Sequence, residues 1–101
     1  MMKYLGYGAA IILVSDAAAS AVLHYAAILM QTGGGDVVDV PTTDDHGAFG
    51  HASVVLGPGI PVMATNAPDD VLEGEDRDFV DEITGRVAVV LAGVPGRPQD
   101  G

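Results

Sequence analysis

The sequence predicts an α+β fold: a two-layer sandwich with a mostly antiparallel sheet in the order ββ-α-βββ-α and the helices packed on one face. Three observations predict it. Short β-rich runs, punctuated by Gly and Pro, succeed one another as hairpins do. Residues 16–31 carry a helical period instead of a strand period. A second helical spacing follows an acidic connection near the end of the chain.

Taken in order, residues 3–14 read as extended. Lys3, Tyr4 and Leu5 make a short run, Gly6, Tyr7 and Gly8 supply turn chemistry, and Ile11, Ile12, Leu13 and Val14 form a β-rich stretch. A dinucleotide fingerprint would need a third small residue where Ile11 stands, so the glycines are read as a turn. Ser15 is a good N-cap, and Asp16 suits the positive end of a helix dipole. At ~100° per residue, Asp16, Ser20, His24, Ala27 and Gln31 fall on one side of the helix. Ala18, Ala19, Val22, Tyr25, Ala26 and Leu29 fall on the other, which predicts that Val22, Tyr25 and Leu29 lie on the sheet. Gly33, Gly34 and Gly35 then stop the helix. A phosphate loop would instead lead into a helix through a Lys-Ser/Thr pair.

Residues 36–40 form a strand that Pro41 is expected to end. Turn residues fill 42–47, and 48–56 return as the second arm of an antiparallel hairpin. On that arm His51, Ser53 and Val55 share one face, and Ala52, Val54 and Leu56 the other, so one face is wetter. Gly57, Pro58 and Gly59 break the run, and 60–65 resume it, with Pro61 marking an edge strand. After the polar stretch 66–76, a helix begins between Glu75 and Asp78. Phe79, Val80, Ile83, Val87, Val90 and Leu91 keep its spacing. Gly85 and the valines from Val87 leave a second reading open, a helix ending at Thr84 and a strand over 86–92. Residues 1–92 are read as one domain and 93–101 as an unstructured tail.

The totals narrow the function classes. A chain of 101 residues makes one domain and buries roughly 60–65% of its unfolded surface. That suffices for one core, built here from Ala and Val, and leaves little room for a deep cleft. Fourteen acids face only Lys3, Arg77, Arg86 and Arg97, for a net charge of −10. Four scattered cations do not displace phosphate counterions, so a nucleic-acid partner is excluded, and an anionic membrane surface is disfavoured likewise. The charge suits a basic protein partner. With no cysteine, there is no disulfide framework, thiolate zinc site or thiol nucleophile.

The apolar N-terminus raises a membrane span or a signal peptide, with Lys3 as its basic region and residues 19–21 as its small-residue cleavage site. The gathering of polar residues on one side of the helix argues against both. Asp16 near a bilayer midplane would cost at least ~2.5 kcal/mol. The reading is a cytoplasmic protein, with secretion through a signal peptide over 1–21 as the alternative.

Three constellations bear on chemistry. Asp44, Asp45, His46 and His51 gather carboxylates and imidazoles around a hairpin turn and are the candidate metal ligands. Asp and Gly also favour turns for purely local reasons. Asp69, Asp70, Glu73, Glu75, Asp76, Asp78, Asp81 and Glu82, with only Arg77 among them, form an acidic run suited to docking on an Arg/Lys surface, the first six being the candidate partner-binding residues. Val71 and Val80 stand where an EF-hand anchored on Gly74 needs ligands. Ser20, His24 and Asp16 share the wet helix face, but a triad is a matter of geometry, and no oxyanion hole is indicated.

The Ala/Gly/Val/Asp-rich, lysine-poor composition resembles that of actinobacterial proteins, phage-borne ones included. The order strand, Ser-Asp-capped helix, hairpin, Leu-Gly-Pro-Gly-Ile-Pro and acidic helix is similar to small α+β domains of that group, which carry no established activity. The resemblance implies a fold and transfers no function. The sequence therefore points to a non-enzymatic interaction or regulatory module that uses no cofactor. Its sharper form is an inhibitor or antitoxin-like protein that masks a basic surface. The alternative is a metal-binding protein or small enzyme using the hairpin histidines. An exposed edge strand, with a core of small side chains, makes a homodimer a further possibility.

Overall fold

The structure is a computed structural model that describes residues 2–8, 10–44, 48–67 and 76–93. Its elements follow the predicted order: β1 (Met2–Tyr7), β2 (Ala10–Ser15), α1 (Asp16–Thr32), β3 (Asp36–Thr43), β4 (Phe49–Leu56), β5 (Val62–Asn66) and α2 (Arg77–Ala92). The strands form two antiparallel sheets, one of order β2-β1-β5 and one of β3-β4. β2 runs alongside β3 without joining it in a ladder. The turn between β1 and β2 sits at Gly8 with φ 61°, and Gly6 belongs to the strand.

Ser15 caps α1 as its side chain requires, accepting the Ala18 N–H at 3.1 Å. Gly33 closes the helix in the left-handed region at φ 77°, its N–H reaching the Leu29 carbonyl. Ala18, Ala19, Val22, Tyr25 and Leu29 are the buried face, while Ser20, His24, Ala27 and Gln31 are exposed. This face meets Leu5 and Val14 of the first sheet and Val38, Val40, Val54 and Leu56 of the second. One core thus joins both sheets through α1, and α2 adds Ile83 and Val87 to it. α2 packs chiefly on α1.

A further expectation needs correction. Pro41 does not end β3, which continues to Thr43. The reason is directional. The ladder pairs Pro41 with His51, and Asp44 N–H bonds the Ala48 carbonyl at 2.9 Å. Bonded and non-bonded pairs alternate along an antiparallel ladder. Asp44–Ala48 is a bonded pair, so Thr42–Gly50 and Val40–Ala52 are bonded too. Pro41 then faces away from β4, and its missing N–H costs the ladder nothing. Residues 86–92, for which the sequence left helix and strand open, take the helical reading. They continue α2 and make no strand, because Ile83 and Val87 meet α1 at helical spacing and Gly85 lies on the exposed side. The tail 94–101 lies outside the described residues.

Candidate functional site

The exposed face of the β3–β4 hairpin and the start of α2 enclose an open crevice of about 570 Å³. Asp39 and Pro41 of β3, His51 of β4, and Asp76, Arg77, Asp78, Phe79 and Glu82 line it. Strand alternation puts Asp39 and Pro41 on the face opposite the buried Val38 and Val40. Cross-strand register then brings His51 beside Pro41, and Ser53 beside Asp39. Ser53 Oγ donates a long bond to Asp39 Oδ1, at 3.4 Å.

The acidic wall comes from the first turns of α2, where carboxylates favour the helix dipole. Asp76 precedes that helix at φ 49°, a left-handed conformation that Asp tolerates better than most residues. The turn leaves its carboxylate without a capping role in α2. The carboxylate instead accepts the Ser15 hydroxyl at 2.5 Å, which ties the start of α2 to the start of α1. Four carboxylates therefore line the crevice, with Arg77 the one cation among the lining residues. Glu82 is shared, since it also accepts from Arg86.

Behind the crevice lies a polar clamp that the sequence does not reveal. Tyr25 Oη donates to Asp36 Oδ2 at 2.6 Å, and Arg86 donates to the same oxygen at 2.9 Å and to the Val37 carbonyl at 3.0 Å. Burial, then the hydrogen bond to a carboxylate, push the Tyr25 phenol up to about 12. The Tyr25 bond, helped by the Val37 N–H and Arg86, holds Asp36 below the ordinary carboxylate range against the opposing effect of burial. Burial works against the Arg86 charge, yet its bonds to Asp36 and Glu82 raise its pKa above the usual value. The clamp joins α1, β3 and α2, and fixes the angle at which α2 presents its acids.

Of the predicted metal ligands, Asp44 and His51 are among the described residues and line different crevices. Asp44 is engaged in the turn, where its Oδ1 accepts the Ala48 N–H at 2.9 Å, and His51 lies further along the strand in the crevice. Asp45 and His46 lie outside the described residues. Among those described, no three His, Asp or Glu side chains converge as a metal would need. Of the predicted acidic run, Asp76, Asp78 and Glu82 line the crevice, and Asp69, Asp70, Glu73 and Glu75 lie outside the described residues. Ser20 and His24 border a shallow apolar groove between α1 and α2, while Asp16 pairs with Lys3 at 3.5 Å. The crevice residues to which sequence reasoning gave no site role are Asp39, Pro41, Arg77 and Phe79. The hairpin pairing could have found Asp39 and Pro41, because both share a face with His51.

No family model matches the chain, and no curated protein or solved structure matches it. Among the described residues, no helix is long and apolar enough to cross a membrane.

Proposed function

We propose that the protein is a small non-enzymatic interaction module, acting in the cytoplasm, that receives a basic side chain of a protein partner in the crevice between β3–β4 and α2. One observation carries this reading: Asp39, Asp76, Asp78 and Glu82 face a common space floored by Pro41 and Phe79. A guanidinium or ammonium group there finds carboxylate acceptors for its head, and apolar atoms for its stem. The net charge of −10 steers such a partner from a distance. An inhibitor that covers a basic surface is the form of this function that best uses both features.

The test compares the wild-type chain with an Asp39→Lys/Asp78→Lys variant in co-purification from a host lysate, washed at low and at high salt. Both positions are exposed, so the variant should keep its fold. The expected outcome is a basic protein held by the wild type at low salt, released at high salt and lost by the variant. Equal retention by the variant would remove the crevice from the interaction.

A further inference from the structure

We infer that β4 is a self-pairing edge, and that two copies of the chain join by antiparallel addition of β4 to β4 about a two-fold axis centred on His51. This goes beyond the crevice reading, since it concerns the backbone edge and not the carboxylates.

The hydrogen bonds of the β3–β4 ladder fix which backbone groups of β4 point outward. Val54, Ala52 and Gly50 belong to the bonded pairs with β3, as the Asp44–Ala48 bond fixes. Phe49, His51, Ser53 and Val55 therefore point their N–H and C=O groups away from β3. Val55 confirms this, because its N–H is taken by the Tyr7 hydroxyl at 3.0 Å. Among the described residues, no strand pairs with this side of β4. No described residue caps the outward backbone groups of Phe49, His51 and Ser53. Phe49 is 80% exposed, and His51 and Ser53 are exposed as well.

The other edges carry the protection that sheets normally show. On the outer side of β3, Pro41 has no donor, Arg86 occupies the Val37 carbonyl, and Asp39 adds a charge. β5 is only five residues long and follows Pro61. β4 has eight residues and contains no proline and no charged side chain.

The bare set also matches itself. With His51 opposite His51 of a second copy, Phe49 falls opposite Ser53 and Ser53 opposite Phe49. Each pair then exchanges N–H and C=O, and the pairing stops at Val55, where Tyr7 takes the next donor. Phe49 reaches diagonally towards Val55 of the second copy, and Val55 is itself 45% exposed. Charge selects the occupant. Two copies, each at −10, repel across any acidic face, but this strand brings no carboxylate into the new ladder. A basic segment would find carboxylates in the crevice and none along this edge. The contact is isologous, so it closes at the dimer. One strand pair buries less than the ~1,200 Å² of a standard interface, which makes the dimer a weak one.

The test is sedimentation equilibrium or light scattering on the full chain from about 10 μM to about 1 mM, the range in which weak contacts populate. The mass should rise from 10.2 kDa towards twice that value, and amide exchange at Phe49, His51 and Ser53 should slow at least tenfold at the upper end. His51→Pro removes an outward donor without touching the β3 ladder, as Pro41 already does across from it. Ser53→Lys places a charge on the edge. Each should hold the mass at 10.2 kDa while circular dichroism stays that of the wild type. A wild type that stays monomeric at about 1 mM overturns the inference. So does a folded His51→Pro or Ser53→Lys chain that dimerises as the wild type does. The crevice variant Asp39→Lys/Asp78→Lys leaves the outward groups intact, so the two readings fail separately.

Discussion

Tyr25 shows how much one side chain decides here. It is buried on α1, and its hydroxyl donates to the Asp36 carboxylate that Arg86 also holds. Tyr25→Phe keeps the ring and its packing and deletes the bond. Asp36 would keep Arg86 and the Val37 N–H, so the loss is that of a single bond to a charged group, about 1.5–3 kcal/mol by urea denaturation at pH 7. The pH dependence has a definite sign. A phenol whose pKa rises from 10.0 to about 12 on folding stabilises the fold fully below pH 10, and that stabilisation is lost as the pH climbs towards 12. The gap between wild type and Tyr25→Phe should therefore close over that interval. Asp36 acts at the other end. Its lowered pKa stabilises the fold above the ordinary carboxylate range and is lost as the pH falls through its folded value. A gap that stays constant from pH 9 to pH 12 would mean that the Tyr25 hydroxyl does not hold Asp36 in solution.

At the scale of the element, α2 sets propensity against packing. Gly85 stands in its middle on the exposed side, and a Cβ there would meet nothing within 4 Å. Gly85→Ala should stabilise the protein by about 0.5–1 kcal/mol, because Ala restricts the unfolded chain and suits the helix. A shift of the thermal midpoint downward would show that the position is not a relaxed helical one. The same helix marks what the sequence could and could not tell. Its apolar spacing through Leu91 was legible, yet Gly85 and the valines kept a strand open, since only contact of Ile83 and Val87 with α1 decides between them. α1 was legible throughout, because cap, stripe and glycine stop agree with one another. The reach of β3 past Pro41 was not, since it depends on which way one N–H would have pointed. The clamp was hidden for a different reason: Asp36 and Arg86 are fifty residues apart, and nothing local marks them as partners. The crevice was half legible, with Asp76, Asp78 and His51 singled out for separate roles and only the fold placing them together.

For the whole molecule, the decisive relation is between the apolar N-terminus and the core. β1 is the middle strand of its sheet, and β5 has no other partner among the described strands. Leu5, Val14, Ala18 and Ala19 all lie within the first 21 residues, and each is at most 1% exposed. Removing residues 1–21 would strip β5 of its ladder, take the Ser15 cap and the first turn from α1, and open the side of α1 that faces the first sheet. Burying side chains of this size contributes on the order of 1.5–3 kcal/mol for the larger ones, which together rivals the ~5–15 kcal/mol that holds a domain folded. A chain beginning at Val22 should therefore show no cooperative thermal transition, whereas the full chain melts in one step. The amphipathic stripe on α1 leads to the same expectation from the sequence side, because a helix that buries Val22, Tyr25 and Leu29 on two sheets needs both of them. A sigmoidal melt of the shortened chain near the midpoint of the full one would show that β3, β4 and the helices fold alone. β1 and β2 would then be free to act as a removable leader.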